Sequence, residues 1–490
     1  MRITNGIMMN NSLYNINNNK TLYDKLHTQM TTEKKIQRPS EDPIVAVRAL
    51  RLRTTYSEVS QYLDRNVTDA RSWIKSTDDA LDSINSVLEN IVYYCNQGVN
   101  DYNTVDQRVA LKTTLEQLKN QIFADGDADL NGRTLFTGYK TDKTLTFQRD
   151  EKNTQYSIKQ TIKLDDVDNV NRLAGLSTNT IFTADQRNIT NNQFHVVKLG
   201  YDNLKSIGDI TITNADGTTT VVTPVTRSKD AFELAGNSVY TSVANGAAFI
   251  PETGELLLSD SIYSSLTNGG SLDAEYVKTG FNKGDLKPEH YFDCTNVTEG
   301  IDYVSEDQQI NYTINFNQTI KVNTQAKDVL THDIIRDLDE IIYSVQSAID
   351  ADTKIQKLKS QLEATTDTVK KTQINSMITA AELEKSYAEE NMGNAFSKGI
   401  GNYQEHQQRL NNELADLGAR LIRLDLNEER LSSQKLNLEK QITNNEGIDA
   451  ATVAVQLKAA SNVYDASLMA ASKIIQNLSL IHISEPTRPY

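Results

Sequence analysis

Proline placement constrains this chain more than any other feature. Prolines stand only at 39, 43, 224, 251, 288, 486 and 489, so residues 44–223 and 289–485 contain none. A proline inside a helix removes a hydrogen bond and clashes with the preceding turn, so these tracts leave room for long uninterrupted helices. Apolar residues fill them at a helical period. Ala70, Ile74, Thr77, Leu81, Ile84, Leu88, Ile91 and Cys95 step by four and three alternately, which predicts a coiled-coil seam. Leu111, Leu115, Leu118 and Ile122 continue it on a second helix after a break around 98–103. In the second tract Ile334, Leu338, Ile341, Val345 and Ala348 keep the spacing, as do Leu410, Leu414, Leu417, Leu421 and Leu424, with Leu431, Leu438 and Ile442 beyond. Residues 351–400, polar and rich in Lys, Glu and Gln, read as additional helix. Such stripes serve a bundle core or a seam between subunits, and spacing alone does not choose.

The middle of the chain has a different period. Residues 209–213 and 218–222 flank Ala215-Asp216-Gly217, a hairpin signal. Ile310, Tyr312, Ile314 and Phe316 alternate with polar residues before Asn317-Gln318 turns the chain into Ile320 and Val322. Tyr156, Ile158, Ile162 and Leu164 alternate similarly. The expected fold is mainly α with a β-rich insert at about 185–325, carried on a helical bundle or coiled coil built from both chain ends.

Composition points to a thin core. The 490 residues are 38% apolar, and exchanging the 21 Tyr for the 22 Gly to match the usual definition leaves that figure unchanged. Ordinary globular chains have about 45–50%. The expectation is two to four domains in an elongated molecule. With 50 Lys and Arg against 65 Asp and Glu, the net charge of −15 and the lack of a basic cluster argue against nucleic acid as a partner. No run of about 18 apolar residues predicts a spanning helix, so no membrane partner is expected. The start, Met1 to Gly6 running into Asn15-Ile16-Asn17-Asn18-Asn19, has no apolar core of a secretory signal.

Catalytic and metal motifs are sparse. The histidines at 27, 195, 290, 332, 406 and 482 are scattered, and none opens an H-E-x-x-H helix. No G-x-S-x-G, phosphate-loop or G-x-G-x-x-G motif occurs. Cys95 and Cys294 are too few for a zinc site or a disulfide framework, and only His290 lies near one of them. Asp127-Ala128-Asp129-Leu130-Asn131-Gly132 opens like a calcium loop, but Gly138 stands where the bidentate Glu belongs. The better reading is a helix end followed by an Asn131-Gly132 turn. No catalytic residue, cofactor or metal is expected.

Two further features concern assembly. Arg38-Pro39-Ser40-Glu41-Asp42-Pro43 predicts a rigid corner, with Ser40 or Asp42 capping the helix that follows. Near the ends, Leu13, Ile16, Leu22, Leu26 and Met30 share one helical face, and Val453, Leu457, Ala460, Tyr464, Ser467, Ala471 and Ile474 share another. Isolated helices this poor in large apolar residues are marginal, so both are expected to order against partners.

Met1 to Gly6 with Met8-Met9, the corner at 35–43, and Leu130-Asn131-Gly132-Arg133-Thr134-Leu135-Phe136-Thr137-Gly138 resemble the flagellin superfamily. The stretch Ala466-Ser467-Leu468-Met469-Ala470-Ala471-Ser472-Lys473-Ile474 fits as well. The resemblance covers roughly 1–180 and 325–476, and it is closer to the hook–filament junction members than to filament subunits. Filament subunits usually carry two acidic residues and then a small-residue run at the corner, where this chain has Ser40-Glu41-Asp42-Pro43-Ile44.

The resemblance implies a non-enzymatic structural subunit of the bacterial flagellum, joining the hook, through hook-associated protein 1, to the flagellin filament. Its implied partners are hook-associated protein 1, flagellin, further copies of itself in a ring, an export chaperone and the type III export apparatus. Its implied location is the extracellular hook–filament junction, reached without a signal peptide. The alternatives are flagellin itself or an enzyme displayed on the filament. The implied assembly residues are Leu13, Ile16, Leu22, Leu26, Val453, Leu457, Tyr464, Leu468 and Ile474, with Arg38, Pro39, Ser40, Asp42 and Pro43 at the corner and Asn131, Gly132, Phe136 and Gly138 at the turn. The expected divisions are 1–38 (assembly helix), 39–184 (bundle with a hairpin), 185–325 (variable outer domain), 326–445 (returning bundle) and 446–477 (second assembly helix). Residues 478–490, which read like a translated sequencing adapter, are expected to be a non-native tail.

Overall fold

In the computed structural model, residues 5–99, 104–174, 190–229, 231 and 239–483 are described. They fall into two units. One comprises residues 1–68, 313–318 and 424–490, the other 69–312 and 319–423.

The larger unit confirms the long seam. Helix α3 (Thr68–Gly98) buries Ala70, Ile74, Thr77, Leu81, Ile84, Leu88, Ile91 and Cys95, each at 0% exposure. Thr77 fits this apolar stripe because its hydroxyl donates to the Trp73 carbonyl at 2.9 Å. Helix α4 (Val105–Gly126) starts at a capping box, in which the Thr104 amide donates to Gln107 Oε1 at 2.8 Å. It buries Leu111, Leu115 and Ile122, while Leu118 is only half-buried. The predicted stripe from Ile334 to Ala348 is buried on a third helix, His332–Ala364.

Sheets begin earlier than the insert expected from residue 185. Strand β3 (Glu151–Ile162) pairs with β12 (Ser271–Phe281) and β13 (Asp293–Asn296); β14 (Ile301–Tyr303) lies beyond β13, and β7 (Ile210–Thr213) then β8 (Thr219–Val222) lie beyond β12. Strand β4 (Val167–Ala174) edges a second sheet, in which β5 (Thr190–Lys198), β11 (Glu255–Leu258), β10 (Ala247–Ile250) and β9 (Val225–Thr226) follow it in that order. The pairing partners of β3 lie more than 100 residues downstream, and no local signal reveals pairing at that distance. The predicted hairpin forms as β7 (Ile210–Thr213) and β8 (Thr219–Val222), with Ile210 opposite Val222 and Gly217 at φ 82°. The next, β15 (Asn311–Asn315) and β16 (Gln318–Lys321), turns at Asn317 with φ 53°. Ile314, Ile320 and Val322 are buried, whereas Phe316 stands at the tip, 77% exposed.

The polar stretch after 350 is helical, as expected, and it folds back on itself as a hairpin. The third helix stops at Ala364, and a 79-residue helix, Thr368–Glu446, starts where Asp367 Oδ1 accepts from the Val369 amide at 2.9 Å. Ile355, Leu358, Ile378 and Ala381 form a small core between its arms.

Along the 79-residue helix, Phe396, Tyr403, Leu410, Leu417, Leu424 and Leu431 recur every seven residues and are all fully buried. The predicted companions Leu414, Leu421, Leu438 and Ile442 are half-buried. The second column is instead polar. His406 Nε2 lies 2.9 Å from Asp337 Oδ2, Thr324 donates to Glu413 at 2.8 Å, and Asn315 donates to Asn427 at 3.2 Å. These partners come from distant segments, which heptad counting does not see.

Candidate assembly surfaces

In the smaller unit the two chain ends pair. Helix α1 (Asn5–Thr32) runs antiparallel to the last helix, Ala450–Ile483, with Leu26, Val453 and Ala460 buried between them and Tyr23, Ile448 and Leu457 packed alongside. The Tyr23 and Tyr464 rings stack at 6.2 Å. The predicted assembly set therefore divides. Leu26 and Val453 are used inside the chain, Ile16, Leu457 and Tyr464 are half-buried, and Leu13, Leu22 and Leu468 are exposed. The Ile474 side chain lies outside the described residues. Sequence spacing missed Ile7, Met8, Met9, Val463 and Met469, which are also exposed on this pair. Exposed large apolar residues gathered on one helix pair mark a candidate interaction face.

The corner positions that pair. Pro43 opens α2 (Pro43–Gln61), and Asp42, not Ser40, is the cap, accepting from the Ile44 and Val45 amides at 3.0 and 3.1 Å. Arg38 contributes its carbonyl to the Glu41 amide at 3.0 Å, which closes the turn around Pro39 and Ser40. Beside it, the Lys35 amide donates to the Glu446 carbonyl at 2.7 Å and the Ile448 amide to the Glu33 carbonyl at 3.2 Å. Arg53 forms an ion pair with Glu446. The corner thus holds both chain ends through backbone bonds.

In the larger unit the turn motif is a clasp. Asn131 and Gly132 both have positive φ, 56° and 78°, as the tight hairpin between Leu130 and Arg133 requires. The carboxylates of the calcium-like string are spent on the chain itself. Asp127 accepts from the Leu145 and Thr146 amides at 2.7 and 3.1 Å, and Asp129 accepts from the Gly132 amide at 2.8 Å. Phe136 is buried and its carbonyl accepts from the Ala326 amide at 2.9 Å. Gly138 has φ 64°, and a Cβ there would stand 2.2 Å from Gln308 Oε1. That oxygen accepts from the Tyr139 amide at 2.6 Å, so Gly138 fixes the clasp through its lack of a side chain.

His290 Nε2 faces the Thr144 carbonyl at 3.3 Å. Burial holds its pKa down to about 3, with the Lys140 and Lys287 charges adding to the effect. Burial pushes the Cys95 and Cys294 thiols up to about 12. Among the described residues, no group of three or more His, Cys, Asp or Glu could hold a metal ion, and no helix is long and apolar enough to cross a membrane.

Residues 3–141 match the profile of the bacterial flagellin N-terminal helical region. The chain is 32% identical over 146 residues to flagellar hook-associated protein 3 of Salmonella typhimurium, covering 29% of this chain and 45% of that one. It is 31% identical over 147 residues to the Escherichia coli protein of the same name, with the same coverage. To a Clostridium tyrobutyricum flagellin it is 27% identical over 122 residues, 25% of this chain and 32% of that one. The chain thus spans less than half the length of the curated relatives it matches. Over residues 3–141, this chain is similar to the N-terminal helical region of the bacterial flagellins.

Proposed function

We propose that the protein is a structural subunit of the bacterial flagellum, a junction adaptor that joins the hook, through hook-associated protein 1, to the flagellin filament. The observation that carries the reading is the antiparallel pair of chain ends, whose inner face is spent on Leu26, Val453 and Ala460 while Ile7, Met8, Leu13, Leu22, Leu468 and Met469 stay exposed. Burying such faces between neighbouring subunits releases about 25 cal/mol per Å² of apolar surface, enough to order helices that are marginal alone. The mechanism needs no reaction chemistry. Copies of the chain would form a ring, with hook-associated protein 1 on one side and flagellin on the other. Delivery would use a flagellar export chaperone and the type III apparatus.

Complementation of a strain that lacks its junction protein tests this. Restored filaments on electron micrographs are the expected result; hooks that stay bare would overturn the reading. The match to the flagellin N-terminal region favours filament subunit as the second reading. Rescue of a flagellin-deletion strain, with filaments built from this chain, would establish that one instead.

A further inference from the structure

The helix Thr368–Glu446 carries a second heptad stripe that stays exposed among the described residues. Ala415, Ala419, Ile422, Leu426, Glu429, Ser433 and Leu436 step by four and three alternately, and all are exposed, Ile422, Leu426 and Leu436 by 63%, 64% and 52%. Leu424 and Leu431 of the buried seam lie two residues from members of this stripe, about 200° around the helix, so the stripe occupies the opposite face. Helix α2 has a matching one. Ile44, Val47, Arg51, Thr54 and Glu58 keep heptad spacing and are exposed, Ile44 by 81% and Val47 by 55%, with Leu50 beside them at 70%. Arg48 and Arg51 form no ion pair among the described residues, and neither does Glu429.

We infer that this outer stripe is a docking seam for helix α2 of a second copy of the chain. The occupant follows from charge and register. Antiparallel alignment that places Arg51 against Glu429, the one charge of the outer stripe, also sets Ile44 against Leu436, Val47 against Ser433, Thr54 against Leu426 and Glu58 against Ile422. Layers of this kind alternate the two heptad positions, as antiparallel coiled coils do. Within one chain α2 already runs antiparallel to the same helix, with Tyr56 donating to Glu439 at 2.8 Å and Asp64, just past the end of α2, paired to Lys435 at 2.8 Å. A second copy in the same orientation therefore presents its α2 in the required direction. The contact joins two different surfaces, so it repeats from copy to copy and generates a ring or a helical row. The inference rests on the self-assembly included in the proposed function and adds the surface that performs it.

The test uses the full chain. Cys95 and Cys294 are buried, so a short bismaleimide reaches only introduced thiols. Val47→Cys alone and Ser433→Cys alone should give no crosslinked dimer, their equimolar mixture should give a dimer, and the double variant a ladder. Arg51→Glu should cut the crosslink about tenfold, as should Glu429→Arg, and combining the two in one chain should restore it. Circular dichroism checks that these surface variants fold. Dimers from either single variant, no crosslink in the mixture, or no restoration by the double charge reversal would overturn the inference. The two proposals fail separately: a chain that rebuilds filaments without this crosslink loses only the seam, and one that crosslinks but leaves hooks bare loses only the junction function.

Discussion

Arg172 grips Glu340 at two points, Nη1 to Oε1 and Nη2 to Oε2, each at 2.7 Å, while the same Nη2 lies 2.7 Å from Glu255 Oε1. Arg172 sits on β4, Glu255 on the strand two places across that sheet, and Glu340 on the helix His332–Ala364, so the triad ties sheet to helix. The Tyr240 and Tyr343 rings lie 5.7 and 5.0 Å from the guanidinium carbon. Burial opposes the Glu340 charge, but the Arg172 charge outweighs it and holds that carboxyl below the usual range. Arg172→Leu would leave two buried carboxylates without their cation, and is expected to cost about 3–5 kcal/mol in denaturant unfolding. Replacing Glu340 by Leu as well should recover part of that loss. A single-variant cost under about 1 kcal/mol would show that the triad is solvated.

Acid should weaken the larger unit through His290. The unfolded chain takes up this proton near the ordinary histidine value of 6.5, whereas the native state resists it down to about 3. Between those values the unfolded state binds more protons, so stability rises with pH in that window and is lost as pH falls through it. The expected loss across the whole window is roughly 5 kcal/mol. Melts at a series of pH values should show a shallower slope for His290→Gln than for the native chain, and equal slopes would refute the assignment.

Leu81 lies at the middle of the α3 seam at 0% exposure. Leu81→Asp places an unpaired carboxylate there and is expected to cost at least several kcal/mol, against less than about 0.5 for Val221→Asp on an exposed strand. Comparison of their melting temperatures decides it; equal temperatures would mean the seam is not the core.

Gly98 ends the same helix against Phe396, whose ring atoms lie 2.4–2.6 Å from where a Cβ would stand. Phe396 is fully buried, so the ring has nowhere to retreat. Gly98→Ala should destabilise by about 1–3 kcal/mol through overpacking. Pairing it with Phe396→Leu should return some of that, as read by chemical denaturation.

The terminal helices should exchange amide hydrogens fast in the isolated chain. Among the described residues their shared core is Leu26, Val453, Ala460 and a few half-buried neighbours, while ordering the backbone costs about 1–2 kcal/mol per residue. Hydrogen exchange should find 5–32 and 449–476 unprotected in a verified monomer and protected after assembly. Strong protection in the monomer would contradict this.

What the sequence determined by itself was local and periodic. The α3 stripe from Ala70 to Cys95 is legible because one helix face repeats every 3.5 residues whatever packs on it, and the turns at Asn131-Gly132 and Gly217 because positive φ selects few residues. Asp42 and Pro43 likewise carry their cap geometry in their own chemistry. What the tertiary structure decided was every pairing across the chain. It recruited β3 into a sheet with strands from 271 onward, folded the polar stretch after 350 back at Asp367, and filled the second heptad column with His406, Glu413 and Asn427. It also divided the terminal apolar residues, spending Leu26 and Val453 within the chain and leaving Leu13 and Leu468 outside. Spacing marks a residue as apolar and on a face, but which faces meet depends on contacts between segments hundreds of residues apart, and the energy of those contacts is not written in either segment alone.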